Sequence, residues 1–301
     1  MNYSKRFNPV DFPIIYHESD YAEQSAWWGH VPFAKWIVEV VSPNILVELG
    51  THYGVSYVSF CEAANFLDIN SEFFAVDTWL GDSQAGFYGE EVLETLKNYH
   101  DHRFGAFSTL LRKTFDQALN DFNDHSINLL HIDGYHSYEQ VKHDFECWLP
   151  KIAKGGIVLL YDTNYHGEGF GVWKLWNEVS KGRKSFEFLH SHGLGVLALD
   201  DNYPDELNLL FDVKEENADQ IRMFFQFAGD YSTSRYQTIV TEKVIHSIQT
   251  QFESNERRII RLEQHFNHLL TARLQKFLGR FFPPGSRRRK FLRIVYKKER
   301  S

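Results

Sequence analysis

Short apolar runs alternate with amphipathic stretches from Ile45 to about Leu199, and this alternation constrains the fold more than any other feature of the chain. The runs are ILVEL (45–49), FFAV (73–76), STLLR (108–112), INLLHI (127–132), GIVLLY (156–161), FEFL (186–189) and GVLAL (195–199). Between them, Tyr57–Phe66, Glu90–Tyr99, Thr114–Phe122, Tyr138–Ile152 and Val172–Ser180 place apolar residues three and four apart, which is the helical period. Strands that are apolar throughout and separated by helices are covered on both faces. The pattern therefore predicts an α/β fold with a Rossmann-like, doubly wound, mostly parallel seven-stranded sheet. Ala22–Val41 reads as a further helix that stops at Ser42-Pro43, residues 205–235 as a Phe-rich helical segment, and Tyr236 onward as a long helix ending near Pro283-Pro284-Gly285. The expected division is a helical segment at 1–42, the α/β domain at 43–200, a helical subdomain at 201–239, a coiled-coil helix at 240–282 and a basic tail at 283–301.

Composition narrows the class. With 301 residues, 43% of them hydrophobic, the chain can bury one large core with material left over. The opening residues lack the apolar stretch of a signal peptide and no run approaches the roughly 20 apolar residues of a membrane span, so a cytoplasmic protein is expected. Cys61 and Cys147 are the only cysteines, far apart and without CxxC spacing, which predicts two buried, inert thiols and neither a disulfide framework nor a thiolate zinc site. Residues 241–301 hold 15 Lys/Arg against 5 Asp/Glu, whereas residues 1–240 hold 17 against 35. An acidic body of this kind argues against nucleic acid as a partner, because a groove for phosphates needs clustered bases.

Two constellations carry the chemistry. The first strand runs into Glu48-Leu49-Gly50-Thr51-His52-Tyr53-Gly54, an ExGxxxG turn between strand and helix. Glycines there let the backbone approach a ligand and leave the next helix N-terminus free to face it. The GxGxxG of a dinucleotide site is missing, which weighs against NAD or FAD. Asp77 ends the second strand, where a carboxylate can accept hydrogen bonds from the two hydroxyls of a ribose. The second constellation is Asp133-Gly134-Tyr135-His136 after the fourth strand, with Asp162-Thr163 after the fifth. Carboxylates at adjacent strand ends can share a hard divalent cation, and a histidine three residues on can take a proton.

With these residues in place the chain resembles the class I S-adenosylmethionine-dependent methyltransferases, and among them the macrocin and mycinamicin sugar O-methyltransferases. VELGTHYGVSY (47–57), VDTWLGDSQAGFYG (76–89), INLLHIDGYHSYEQVKHDFECWLPKIAKGG (127–156), LLYDT (159–163) and FGVWKLW (170–176) carry the likeness, which runs from about Trp27 to Leu199. The resemblance implies S-adenosylmethionine as donor, bound by Glu48, Gly50, Gly54 and Asp77, with Trp79 near the adenine. It also implies a metal, most simply Mg²⁺, on Asp133 and Asp162, with Asp133 and His136 catalytic and His136 as base. Glu90 and Glu91 are candidates for a further acidic ligand, and Tyr161 stands where related sequences often carry His. The expected reaction is O-methylation of a small-molecule or glycan hydroxyl; the alternative is a non-catalytic assembly module in a glycan-synthesis complex.

Other patterns carry less. His131-Ile132-Asp133 spells half of an iron site, but such sites sit on all-β barrels. His100-Asp101-His102 and His190-Ser191-His192 lack a third zinc ligand and read as loops. Trp27, Trp28, Trp79, Phe87 and Tyr88 suit either an acceptor pocket or the core. Ile245, Ile248, Phe252, Asn255, Ile259, Leu262, Phe266 and Leu269 follow the heptad seam, which predicts homo-oligomerisation through residues 240–275. Arg287-Arg288-Arg289-Lys290-Phe291-Leu292-Arg293 mixes bases with apolar residues and suits a weak contact with an anionic surface.

Overall fold

The structure is a computed structural model that describes residues 7–84, 86–283, 285–287, 289 and 290. By its contacts the chain forms two compact units, Met1–Val240 and Thr241–Ser301. In the first unit, a 3-10 turn at Ala26–His30 leads into α1 (Val31–Val41). Ser25 Oγ caps that turn by accepting from Trp27 N–H, Pro32 occupies the first turn of the helix, and Ser42 ends it in the left-handed region. There follow β1 (Ile45–Leu49), α2 (Val55–Phe66), β2 (Glu72–Asp77), the hairpin strands β3 (Gly81–Asp82) and β4 (Gly86–Phe87), α3 (Glu90–Phe104), β5 (Ser108–Arg112), α4 (Phe115–Ala118), β6 (Ile127–Ile132), α5 (Tyr138–Trp148), β7 (Ile152–Tyr161), α6 (Val172–Val179), β8 (Ser185–Phe188), β9 (Leu194–Ala198), α7 (Asn208–Phe211) and α8 (Glu215–Phe281).

Seven strands form one sheet in the order β5-β2-β1-β6-β7-β9-β8, parallel from β5 to β7, with β9 antiparallel to both β7 and β8. The two-residue side-chain period splits the apolar strands between two cores. Leu46, Leu129, Ile157, Leu159, Val196 and Ala198 face the core covered by α1 and α2; Val47, Leu49, Leu130, Ile132, Val158, Leu160 and Leu197 face the core covered by α5 and α6. Strand order reverses between β1 and β6, and a crevice opens at that switch point beyond the carboxyl ends of the strands.

The N-terminal segment is fastened to this frame by buried polar contacts. Lys35, fully buried on α1, pairs with Glu62 of α2 at 2.9 Å and donates to His17 O at 2.8 Å. Glu62 Oε1 also accepts from Ser19 Oγ at 2.6 Å. The early part of α8 packs on the same core through Ile221 and Phe225, and a Cβ on Gly229 would lie 1.9 Å from Gly29 O. Only glycine allows that approach.

The helix that the sequence places from Tyr236 onward begins at Glu215 and continues unbroken through the 239/240 division. Ser232, Thr233 and Thr238 return their hydroxyls to the carbonyls four residues back, so these polar residues do not interrupt it. In the second unit its heptad residues Ile248, Phe252, Leu262 and Phe266 are 60–70% exposed. Among the described residues no helix is long and apolar enough to cross a membrane. Of the basic tail, Arg288 and residues 291–301 lie outside the described residues.

Candidate active site

The turn after β1 is built by glycine. Gly50 has φ +87°, and a Cβ there would stand 2.0 Å from Asp133 O, so the turn crosses the end of β6 at backbone distance. Gly54, φ +80°, is the N-cap of α2 with no side chain over the helix end, where a Cβ would meet Leu96 at 2.7 Å. Asp77 ties this turn to β2: Oδ2 accepts from Thr51 N–H and His52 N–H, both at 2.9 Å, and Oδ1 accepts from Trp79 N–H at 2.7 Å. A carboxylate offers about four lone-pair sites. Three are engaged, so Asp77 has room to accept one ligand hydroxyl on Oδ1 rather than the pair expected from sequence.

Glu48 and Trp79 stand behind the turn. Glu48 is fully buried, faces His131 across the β1–β6 ladder and meets its Nδ1 at 2.8 Å; burial raises the Glu48 pKa, while the imidazole partly offsets it. The carboxylate that His131 meets is therefore Glu48, while its ring packs edge-on against Trp27 and Phe60, and the iron-like reading of HxD finds no support. Trp79 is fully buried, with its indole N–H donated to His52 O. Neither Glu48 nor Trp79 lines the crevice, so the structure gives them the role of shaping the turn from within.

The second constellation converges. His136 Nε2 lies 3.3 Å from Asp133 Oδ1 and 3.2 Å from Asp162 Oδ2, so the imidazole bridges the carboxylates that end β6 and β7. Its Nδ1 faces Gln84 Oε1 at 3.2 Å, the same oxygen that accepts His136 N–H at 2.9 Å, and Phe170 stacks on the ring at 4.9 Å. Burial alone would lower the His136 pKa, but the hydrogen bond to Asp133 and the charges of Asp133, Asp162 and Asp82 outweigh it and raise it. Asp162, with φ +64°, is almost wholly buried, and burial pushes its carboxyl up to about 7. Its Oδ1 has no hydrogen-bond partner and lies 3.3 Å from His192 Nδ1.

The glycine turn, Asp77 and Asp133–His136 open on one cavity of about 640 Å³, with Asp162 behind His136 and not among its lining residues. Its walls are the Gly50–Ser56 turn, Asp77, the hairpin residues Gly81 and Asp82, Tyr88, the start of α4 at Thr114–Asp116, Asp133–His136, Tyr161 and the segment Gln24–Trp27. On the α5 side Asp144 is buried, with its carboxyl raised to about 6 by burial; Gln140 Nε2 donates to Oδ1, and Oδ2 has no partner. From sequence, Gln84, Phe115, Asp144 and Phe170 were not singled out, and His192 was read only as part of a loop. The DGYH and YDT motifs mark the strand ends, but these residues reach the site from loops and a helix face whose placement no local pattern encodes.

Several expectations move. Glu90 is held by Arg112 through two hydrogen bonds of 2.8 and 2.6 Å, and Glu91 accepts from Gly89 N–H, so neither extends the carboxylate pair. Among the aromatics, Trp27 and Tyr88 line the cavity, whereas Trp28 stacks on Tyr236 and Phe87 is 81% exposed. His100 and His102 lie on α3 rather than in a loop; His100 is buried with Nε2 at 2.7 Å from Ser108 Oγ, His190 meets Gly29 O, and His192 instead faces Asp162. Cys61 is buried, but Cys147 is half-buried rather than sealed.

The geometry agrees with comparison to known proteins: residues 47–163, from the first strand to the Asp162-Thr163 pair, match the family model described as a methyltransferase domain. Over this segment the chain is similar to that family. Over 173 residues it is 50% identical to an uncharacterized protein, y4gI, of Sinorhizobium fredii, an alignment that covers 58% of this chain and 19% of that relative. Similar solved structures include a putative caffeoyl-CoA O-methyltransferase from Staphylococcus aureus (14% identity, 63% of this chain and 90% of that one, TM-score 0.45). They also include the methyltransferase PaMTH1 of Podospora anserina bound to SAH (11%, 67% and 100%, 0.46). The matched segment holds both the glycine turn and the bridged carboxylates.

Proposed function

We propose that this chain transfers the methyl group of S-adenosylmethionine to a hydroxyl of a sugar or glycan. The observation that carries this reading is the position of His136, whose Nε2 is held between two carboxylates at the edge of the same cavity as the glycine turn and Asp77. The turn and Asp77 would seat the donor. An acceptor hydroxyl placed at Nε2 would lose its proton to the imidazole as its oxygen attacks the sulfonium methyl, and Asp133 and Asp162 would stabilise the imidazolium that forms. Phe170 and Gln84 fix the ring plane, so the transfer depends on positioning more than on covalent chemistry.

A divalent cation fits the donor set. Two carboxylates suit a hard ion, and the buried Oδ1 of Asp162, which has no hydrogen-bond partner and only His192 Nδ1 at 3.3 Å, is available as a ligand atom. Asp133 and Asp162 would hold it, and it would supply Lewis-acid stabilisation of the acceptor oxygen. The non-catalytic alternative is not favoured, because every residue of both constellations is present.

The test is transfer of labelled methyl from S-adenosylmethionine to a panel of sugars and sugar nucleotides, paired with calorimetry of the donor and its demethylated product. Donor binding with label recovered as a methyl ether is expected. Absence of donor binding, or tight NAD binding in its place, would reject the assignment. Full activity in excess EDTA would remove the metal and leave His136 to act with the two carboxylates alone.

A further inference from the structure

Beside the cavity, which Asp116 also lines, Asp116, His143 and Cys147 form the one group of three metal-ligating side chains, among the described residues, whose ligand atoms all lie within 4.8 Å of one another. Absence of CxxC spacing excludes the usual sequence signature of a thiolate site, but the fold supplies another route. His143 and Cys147 are four residues apart on α5 and share a helix face. α4 brings Asp116 against them.

His143 Nε2 lies 2.9 Å from Asp116 Oδ1 and 3.7 Å from Cys147 Sγ. Around a tetrahedral zinc with bonds of roughly 2.0 Å to nitrogen or oxygen and 2.3 Å to sulfur, ligand atoms stand roughly 3.3–3.5 Å apart. The two separations from His143 are within a few tenths of an ångström of these values, and Asp116 and Cys147, within 4.8 Å of each other, would close on the ion by side-chain rotation. A surface Asp–His pair alone contributes little; the half-buried thiol at the same point changes its chemistry. One thiolate and one carboxylate balance the charge of a dication, the neutral imidazole completes three ligands, and the fourth position is left to water. A thiolate and an imidazole select a borderline-soft ion rather than magnesium.

We propose that Asp116, His143 and Cys147 form a zinc site that clamps α4 to α5, separate from the carboxylates of the candidate active site. Binding releases the Cys147 proton, because the thiolate is the ligand. The clamp is placed to stiffen the cavity, since Phe115 and Asp116 of α4 and Gln140 and Asp144 of α5 line one of its walls.

The test is titration of the metal-stripped full-length chain with cobalt(II), followed by displacement with zinc. A thiolate-to-cobalt charge-transfer absorption at one ion per chain is expected, bleached by zinc. Cys147→Ser should abolish the band, and His143→Ala and Asp116→Asn should each weaken binding at least tenfold, with circular dichroism showing each variant folded. Buried Cys61 is the internal control. No charge-transfer band, or a band that persists in the Cys147→Ser chain, would overturn the site. None of these readouts depends on methyl transfer, so the site stands or falls apart from the proposed activity.

Discussion

In the proposed reaction His136 is the base, and its ring faces Gln84 Oε1 and the carboxylates of Asp133 and Asp162. Replacing it with alanine should lower the rate by about 10²–10⁴-fold if it is the general base, while donor affinity stays nearly unchanged. Its pKa is raised, so the free base forms only above the ordinary value of 6.5 and the rate should climb with pH across neutrality. The same sign governs stability: a raised histidine stabilises the fold fully below 6.5, and that contribution is lost as pH rises through the raised value. Asp162 acts in the same direction, since a carboxyl raised to about 7 costs stability as it ionises between 3.8 and about 7. A pH–rate profile that is flat from 6 to 8 would exclude His136 as the base. Asp77→Ala should weaken donor binding by about 1.5–3 kcal/mol, from the lost charge-assisted hydrogen bond and the loosened turn; calorimetry reads it directly. The strand-end positions of Asp77, Asp133 and Asp162 were legible in sequence, because the apolar runs show where β2, β6 and β7 stop. Gln84 and His192 were not, since hairpin and loop placement is set by distant contacts such as Gln84 Nε2 to Gly169 O.

Elements were the most legible level. All seven strands lie within a few residues of the apolar runs, because a strand buried on both faces writes its length in consecutive apolar residues. The two-residue strands β3 and β4 left no such trace, and β7 begins four residues before its apolar run, at Ile152. The buried Lys35–Glu62 pair between α1 and α2 was also invisible, since a lysine in an apolar helix gives no sign of its partner. Lys35→Met should destabilise the protein by about 3–5 kcal/mol by leaving Glu62 buried without its counter-charge. The double change Lys35→Met with Glu62→Leu should recover most of that loss. Equal destabilisation of single and double variants in urea melts would show that the pair is not coupled.

For the whole molecule, the open question is what covers the apolar seam of the second unit. Its heptad spacing and exposure predict self-association of the full-length chain. Phe252→Asp with Phe266→Asp, on the exposed surface, should convert the oligomer to monomer in light scattering without altering donor binding; a wild-type chain that is already monomeric at high concentration refutes the prediction.

Gly229 and Gly29 give the cavity a handedness of access. The Ala26–His30 turn, which brings Trp27 to the cavity, is pinned on one side by Gly229 and on the other by Ser191, whose Oγ would be 1.9 Å from a Cβ on Gly29. A wall gripped from two sides is a fixed jamb, not a door. In the proposed reaction, donor and acceptor would then pass the β3–β4 hairpin, whose Gly81 and Asp82 line the cavity and beside which Leu80 and Phe87 stand more than half exposed. Gly229→Ala should shift the jamb inward and weaken donor binding with α8 still helical, while Phe87→Ala should change the rates of ligand arrival and departure in stopped flow with the equilibrium affinity little altered.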